Sequence, residues 1–101
     1  MRVEKGKIDG DTRISDDVVL QGMITGNTVV ENGGKLILSG MICQNLILEK
    51  GSMVELHGMV CRNVFNRGGN LRVYGMILES LRTESGTTFI DPKAVIKGKT
   101  E

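Results

Sequence analysis

The sequence predicts an all-β, single-domain parallel β-helix, a solenoid of about five coils of 16–18 residues. Three observations carry that reading. The stretch Leu36–Cys43 (LILSGMIC) returns eighteen residues later as Val54–Cys61 (VELHGMVC), and Gly22-Met23-Ile24 and Gly75-Met76-Ile77 extend the echo on either side. Self-similarity at a fixed short period marks a repeat architecture. Within each repeat the apolar residues alternate, as in Leu36, Leu38, Ile42, Leu46 and Leu48, which is the period of a strand. Finally, 14 glycines, one proline and only three aromatic residues suit a narrow core of stacked aliphatic side chains.

Taken in order, Gly6–Ile14 matches Gly22–Val30 position for position, so the first coil starts near Gly6 as a polar copy of the next. Its return loop, Ser15-Asp16-Asp17, is two residues shorter than the later ones. Full coils start at Val18, Leu36, Val54 and Leu71, and the residue missing from the third of these falls just after Gly69, in a turn. A capping partial coil runs from Phe89 through Asp91-Pro92 to Val95-Ile96, and the single domain covers residues 1–101. Strands of four to six residues alternate with Gly, Asn, Glu and Lys turns. Glycines and β-branched residues interrupt every window that could form a helix. Parity sends four ladders inward: Val18/Leu36/Val54/Leu71, Leu20/Leu38/Leu56/Val73, Ile24/Ile42/Val60/Ile77 and Thr28/Leu46/Val64/Leu81. Glycines fall at corners, where positive φ or close backbone approach is needed. Asn27, Asn45 and Asn63, preceded by Asp11 and followed by Ser80, form a corner column able to hydrogen-bond along itself.

Composition excludes several classes of function. A net charge of +1 gives no field that steers the chain to nucleic acid. Apolar runs of four or five residues are far short of the roughly 20 needed for a membrane helix. The segment Met1–Gly6 lacks the apolar block of a secretory signal, and two cysteines are too few for a secreted disulfide framework, so a cytoplasmic location is expected.

The outward positions carry the functional signal. Four columns face out: Val19/Ile37, Gln21/Ser39/His57/Tyr74, Met23/Met41/Met59/Met76 and Thr25/Cys43/Cys61/Leu78. At about 4.8 Å per coil and 3.3 Å per residue, the apolar strip covers on the order of 300–400 Å², near the upper end of what soluble monomers leave bare. Met23, Met41, Met59, Met76, Cys43, Cys61, Ile37, Tyr74 and Leu78 are therefore candidate protein-contact residues, because methionine surfaces adapt to varied partners. A parity flip at the corner glycine gives the alternative, with methionine in the core and the following Ile outside.

Catalytic signals are thin, and neither an enzyme nor a cofactor or metal is expected. His57, the sole histidine, stands four strand residues from Cys61, roughly 13 Å away. Two stacked cysteines fall short of a tetrahedral zinc site; a disulfide fits the strand spacing, and free thiols are the expectation for a reducing compartment. Asp16 and Asp17 are adjacent and point apart on a strand. Glu31, Glu49 and Glu84, with Arg67 in their column, read as a charged face.

The apolar-x-Gly-x-apolar-x-Gly rhythm of Leu20-Gln-Gly22-Met-Ile24-Thr-Gly26, in coils of seventeen or eighteen residues, resembles the bactofilins. That resemblance implies a right-handed β-helix that polymerises end to end as a cytoskeletal scaffold. The chain departs from it with Gly-Met-Ile where the family commonly carries Gly-Asp-Ile. Left-handed hexapeptide helices, often acyltransferases, also have eighteen-residue coils, but coils of sixteen and seventeen residues break a strict hexad. Two functions follow from these readings. One is a non-catalytic interaction module that uses the Met/Cys face to bind itself, as a homodimer, or a heterologous protein such as a toxin, as an immunity protein does. The other is a bactofilin-like self-assembling scaffold. The polar first coil and the Asp91-Pro92-Lys93 break predict capped ends, and so a discrete monomer, dimer or heterocomplex rather than a filament.

Overall fold

Val18, Leu36, Val54 and Leu71 stand in register on consecutive parallel strands, so the repeat length of the sequence is the circumference of a coil. The computed structural model describes residues 1–101 as a parallel β-solenoid of about five turns, measuring 30 × 24 × 21 Å. The first coil holds β1 (Arg2–Glu4), β2 (Lys7–Ile8) and β3 (Thr12–Ile14), and the second β4 (Asp17–Leu20), β5 (Met23–Ile24) and β6 (Thr28–Val30). The third holds β7 (Lys35–Leu38), β8 (Met41–Ile42) and β9 (Leu46–Leu48). Next come β10 (Met53–Leu56), β11 (Met59–Val60), β12 (Val64–Val73), β13 (Met76–Ile77), β14 (Leu81–Ile90) and β15 (Val95–Ile96).

The second strand of every coil joins one six-stranded sheet, β15-β13-β11-β8-β5-β2. First and third strands form two further faces, which the ten-residue β12 and β14 merge into a single nine-stranded sheet by running around the corner between them. That corner is where the fourth coil is one residue short, at Arg67-Gly68-Gly69, against Glu49-Lys50-Gly51-Ser52 one coil earlier. The tighter turn keeps the strand pairing going; the other strands have two to four residues, mostly shorter than the four to six that the alternation predicts, because the glycine corners interrupt them. Two coil boundaries also move. Arg2 pairs with Val18, so the first coil starts four residues before Gly6; its β1 is polar and carries no apolar alternation to reveal it. Leu71 pairs with Thr88, so the last coil starts there and Phe89 points outward.

All four inward ladders are core. Each of their aliphatic members is at most 2 % exposed, and Ile14, Val30 and Leu48 add a fifth ladder. Fully burying one such side chain stabilises the fold by roughly 1.5–3 kcal/mol. The fifth ladder continues into Asn66, a fully buried polar side chain in an aliphatic column. It satisfies every bond it can make there. Its Nδ2 donates to Thr87 O at 2.9 Å and Thr88 Oγ1 at 3.0 Å, while Oδ1 accepts from the Gly68 and Gly69 N–H groups at 3.2 and 2.8 Å. Asn66 is thus the clamp of the shortened turn.

The corner column of asparagines forms as its spacing suggests. Asn27 N–H donates to Asp11 Oδ1 at 2.8 Å, Asn45 N–H to Asn27 Oδ1 at 3.0 Å, Asn63 N–H to Asn45 Oδ1 at 3.0 Å and Ser80 N–H to Asn63 Oδ1 at 3.0 Å. The two glycine series divide between the two reasons for glycine. Gly33, Gly51 and Gly86 have φ of 85°, 81° and 81°, and in the short turn Gly68 rather than Gly69 takes the positive φ. Gly22, Gly40, Gly58 and Gly75 have no such φ. A Cβ on any of them would overlap the carbonyl oxygen of the glycine one coil below.

Two stability measurements test this packing. Gly40→Ala sets a methyl against the Gly22 backbone and is expected to cost about 3 kcal/mol, the upper end of overpacking penalties. Gly6→Ala, with open space around it, is expected to be near neutral; equal melting temperatures for the two variants would refute the close-approach argument. Thr28 is fully buried in a core ladder and its hydroxyl has no partner. Replacing it by the similarly shaped Val is expected to stabilise by about 1 kcal/mol, a rise of roughly 4–8 °C in Tm at this size, read by thermal denaturation.

Candidate functional site

At the end of the first strand of each coil, two consecutive N–H groups share one acceptor in the coil before. Ser39 and Gly40 both donate to Leu20 O at 2.9 Å, and His57 and Gly58 both donate to Leu38 O at 2.8 Å. Gln21-Gly22 and Tyr74-Gly75 repeat the pattern on Glu4 O and Leu56 O. This shared-acceptor bend is stacked coil on coil, with the same register before and after it. It draws the backbone in at the glycine, and the missing side chain leaves a furrow across the coils, parallel to the solenoid axis.

The furrow is a groove of about 820 Å³. Its floor is the column Gly6, Gly22, Gly40, Gly58 and Gly75, and one wall is Met23, Met41, Met59 and Met76. These methionines pair in register across the six-stranded sheet and are half-buried, whereas the Ile or Val after each is in the core, at most 1 % exposed. Of the two parities that the sequence allowed, methionine therefore faces out. Opposite stand His57 and Tyr74, stacked with ring centroids 4.9 Å apart and planes within 5°. Phe89 packs beside Tyr74 with its ring tilted by 53° and its centroid 5.9 Å away. His57 Nε2 lies 3.3 Å from Glu55 Oε1.

Lysines mark both ends of the groove, Lys5 and Lys7 at the first coil and Lys93 at the last. Lys7 pairs with Asp9 at 3.4 Å, while Lys5 and Lys93 have no carboxylate partner. From the sequence, Lys5, Lys7 and Lys93 read as charges that cap the two ends of the solenoid; the structure sets them also at the ends of the groove.

Of the contact residues expected from sequence, the four methionines and Tyr74 line the groove. Cys43, Cys61 and Leu78 lie on the same sheet face, two residues beyond the methionines. Ile37 does not join them. It faces outward from β7, between Val19 and Glu55 on the neighbouring face, across the glycine corner.

Both thiols are free and partly exposed. Burial pushes the Cys61 thiol up, Cys43 beside it adds to the rise, and Arg62 opposes it. No three His, Cys, Asp or Glu side chains gather as a metal cluster. Asp16 is drawn to Arg2 at 3.2 Å, and Glu31 and Glu49 share Arg13 at 2.8 and 4.0 Å, so these carboxylates belong to a solvated charged face. No helix of the chain is long and apolar enough to cross a membrane. Neither a protein-family model, nor a curated protein, nor a solved structure matches the chain.

Proposed function

We propose that this β-solenoid is a non-catalytic protein-binding module whose methionine-walled groove receives an acidic amphipathic helix of a heterologous partner. The observation that carries the reading is the groove itself, an open apolar furrow with unpaired lysines at both ends. From Lys7 to Val95 its methionine wall spans five coil steps, roughly 24 Å. That length accommodates between four and five helical turns of about 5.4 Å, close to one turn per coil. Methionines repack around varied apolar side chains, and helix-in-groove docking on Met-rich surfaces is a recurrent mode of recognition. Lys5 and Lys93 favour acidic groups at the ends of the bound helix. The apolar strip is smaller than the approximately 800 Å² per partner of a standard interface, so the His57/Tyr74/Phe89 ring cluster and the cysteine column complete the footprint. An immunity protein that covers a toxin is one member of this class, and the cytoplasm, where both thiols stay reduced, is its natural setting.

The test uses methyl-labelled methionine NMR with an acidic amphipathic helical peptide of about four turns as the probe. The methyls of Met23, Met41, Met59 and Met76 are expected to shift, while Met53, 38 % exposed on another face, stays put. The double variant Met41→Arg/Met59→Arg is expected to change stability by no more than about 0.5 kcal/mol and to abolish the shifts. Unfolding of the double variant, or an equal response at Met53, overturns the reading.

A second reading, the bactofilin-like scaffold, has its own observation. Of six exposed large apolar side chains, Met1 and Val3 lie on the first coil and Phe89, Ile90 and Val95 on the last, with Met53 alone on the flank. The charged residues expected to cap the ends are there, but they do not cover these side chains, and β14 pairs with β12 along one edge only, apart from Leu81 and Thr83 against the last residues. Such a scaffold is expected to form filaments in the electron microscope at micromolar protein and to lose them with Phe89→Glu. A single discrete species in sedimentation removes it.

A further inference from the structure

The six sulfurs on the outer face of the six-stranded sheet are used only in part by the groove. Cys43 and Cys61 follow the paired residues Ile42 and Val60. Cys43 N–H donates to Ile24 O and Cys61 N–H to Ile42 O, each at 2.9 Å, so the ladder continues through both and their side chains leave the same face one coil apart. Met41 and Met59 stand in register two residues earlier, about 6.6 Å along the strands. The result is a two-by-two patch of two thiols and two thioethers.

We propose that this patch is a binding site for a soft monovalent metal ion, copper(I) being the biological case, held between the sulfurs of Cys43 and Cys61 with the thioethers of Met41 and Met59 as further ligands. Distance supports it first. Parallel strands separate neighbouring side chains by about 4.8 Å, whereas a disulfide draws its Cβ atoms to about 3.5–4.5 Å. Two metal–sulfur bonds of about 2.3 Å, the length in zinc thiolates, span roughly 4.6 Å when in line. The ladder therefore sets the two sulfurs within reach of a bridging ion, and in the reduced chain, where both cysteines are free, an ion is what the pair can hold.

Donor chemistry supports it next. Thiolate and thioether are soft ligands and select copper(I), while an all-sulfur patch with two thiolates lacks the four strong donors of structural zinc and the oxygens that calcium or magnesium require. The flanking members of the column offer no competing donor. Thr25 commits its hydroxyl to the Gly10 N–H at 2.9 Å, and Leu78 is apolar. Both thiols are partly exposed, so an ion can reach them. On binding, two S–H bonds break, two metal–sulfur bonds form, both protons pass to solvent, and the oxidation state of the metal is unchanged. The resulting centre carries one net negative charge and stays partly open to solvent, as both thiols are.

The experiment is anaerobic titration of the reduced chain with copper(I) buffered by a chromophoric chelator, with bound metal counted by native mass spectrometry. One ion per chain is expected. Cys43→Ser and Cys61→Ser are each expected to weaken binding roughly 100-fold or more, and Met41→Leu/Met59→Leu about tenfold, taking outer-partner effects as the lower bound; all keep the β spectrum. Failure of the reduced wild type to take copper from the chelator overturns the proposal. So does uptake that Cys61→Ser leaves unchanged, or zinc binding as tight as copper.

Discussion

Everything in this molecule depends on one coil lying directly on the next with nothing between their backbones at the Gly22, Gly40, Gly58 and Gly75 corner. Strand pairing alone asks for a separation of about 4.8 Å, and at most positions side chains clear that distance by pointing in or out. At this corner the chain turns, two N–H groups converge on one carbonyl, and the Cβ direction runs into the coil below. Glycine is the residue that fits. Register follows from it, because a slip of one residue would set a side chain on that contact. The groove follows too, since four stacked absences of a side chain are what hollow it out. The methionines then stand at its edge as a wall.

Attraction between charges contributes little to this stack. Arg13–Glu31, Arg62–Glu79 and Arg67–Glu84 tie successive coils at 2.8, 3.4 and 3.5 Å, yet every partner is at least one-third exposed. Pairs of this kind contribute about 0–1 kcal/mol each. The aliphatic ladders are larger by far, and Asn66 shows that a polar group is tolerated among them when all its bonds are made.

The ladders were legible because burial imposes a period of two on each strand and stacking imposes a period of about eighteen on the chain, and both are written in residue type. The asparagine column was legible for the same reason. What resisted reading was geometry that residue type does not encode. Gly-Met-Ile offers two adjacent apolar residues after a bend, and only the backbone hydrogen bonds of that corner decide that Met23 faces out and Ile24 in. Nothing in the residue type of Asn66 marks it as a core residue. The start at Arg2 and the outward turn of Phe89 were hidden because end coils are covered on one side only, so their apolar pattern is diluted.

The asparagine column has a direction. Each side-chain carbonyl accepts from the N–H of the coil above, from Ser80 down to Asn27, so the bond dipoles of the column add rather than cancel. Aligned hydrogen bonds polarise one another, and a run of them carries a positive end where the last donors point, as at the N-terminus of a helix. Here that end is the first coil, and the acceptor placed there is Asp11 and not another asparagine. A carboxylate in the position of an amide gives the terminal N–H its bond and sets a full negative charge against the positive end. The column is thereby a short electret built into one corner of the solenoid, closed at its base by the one residue in the series whose charge matches its polarity.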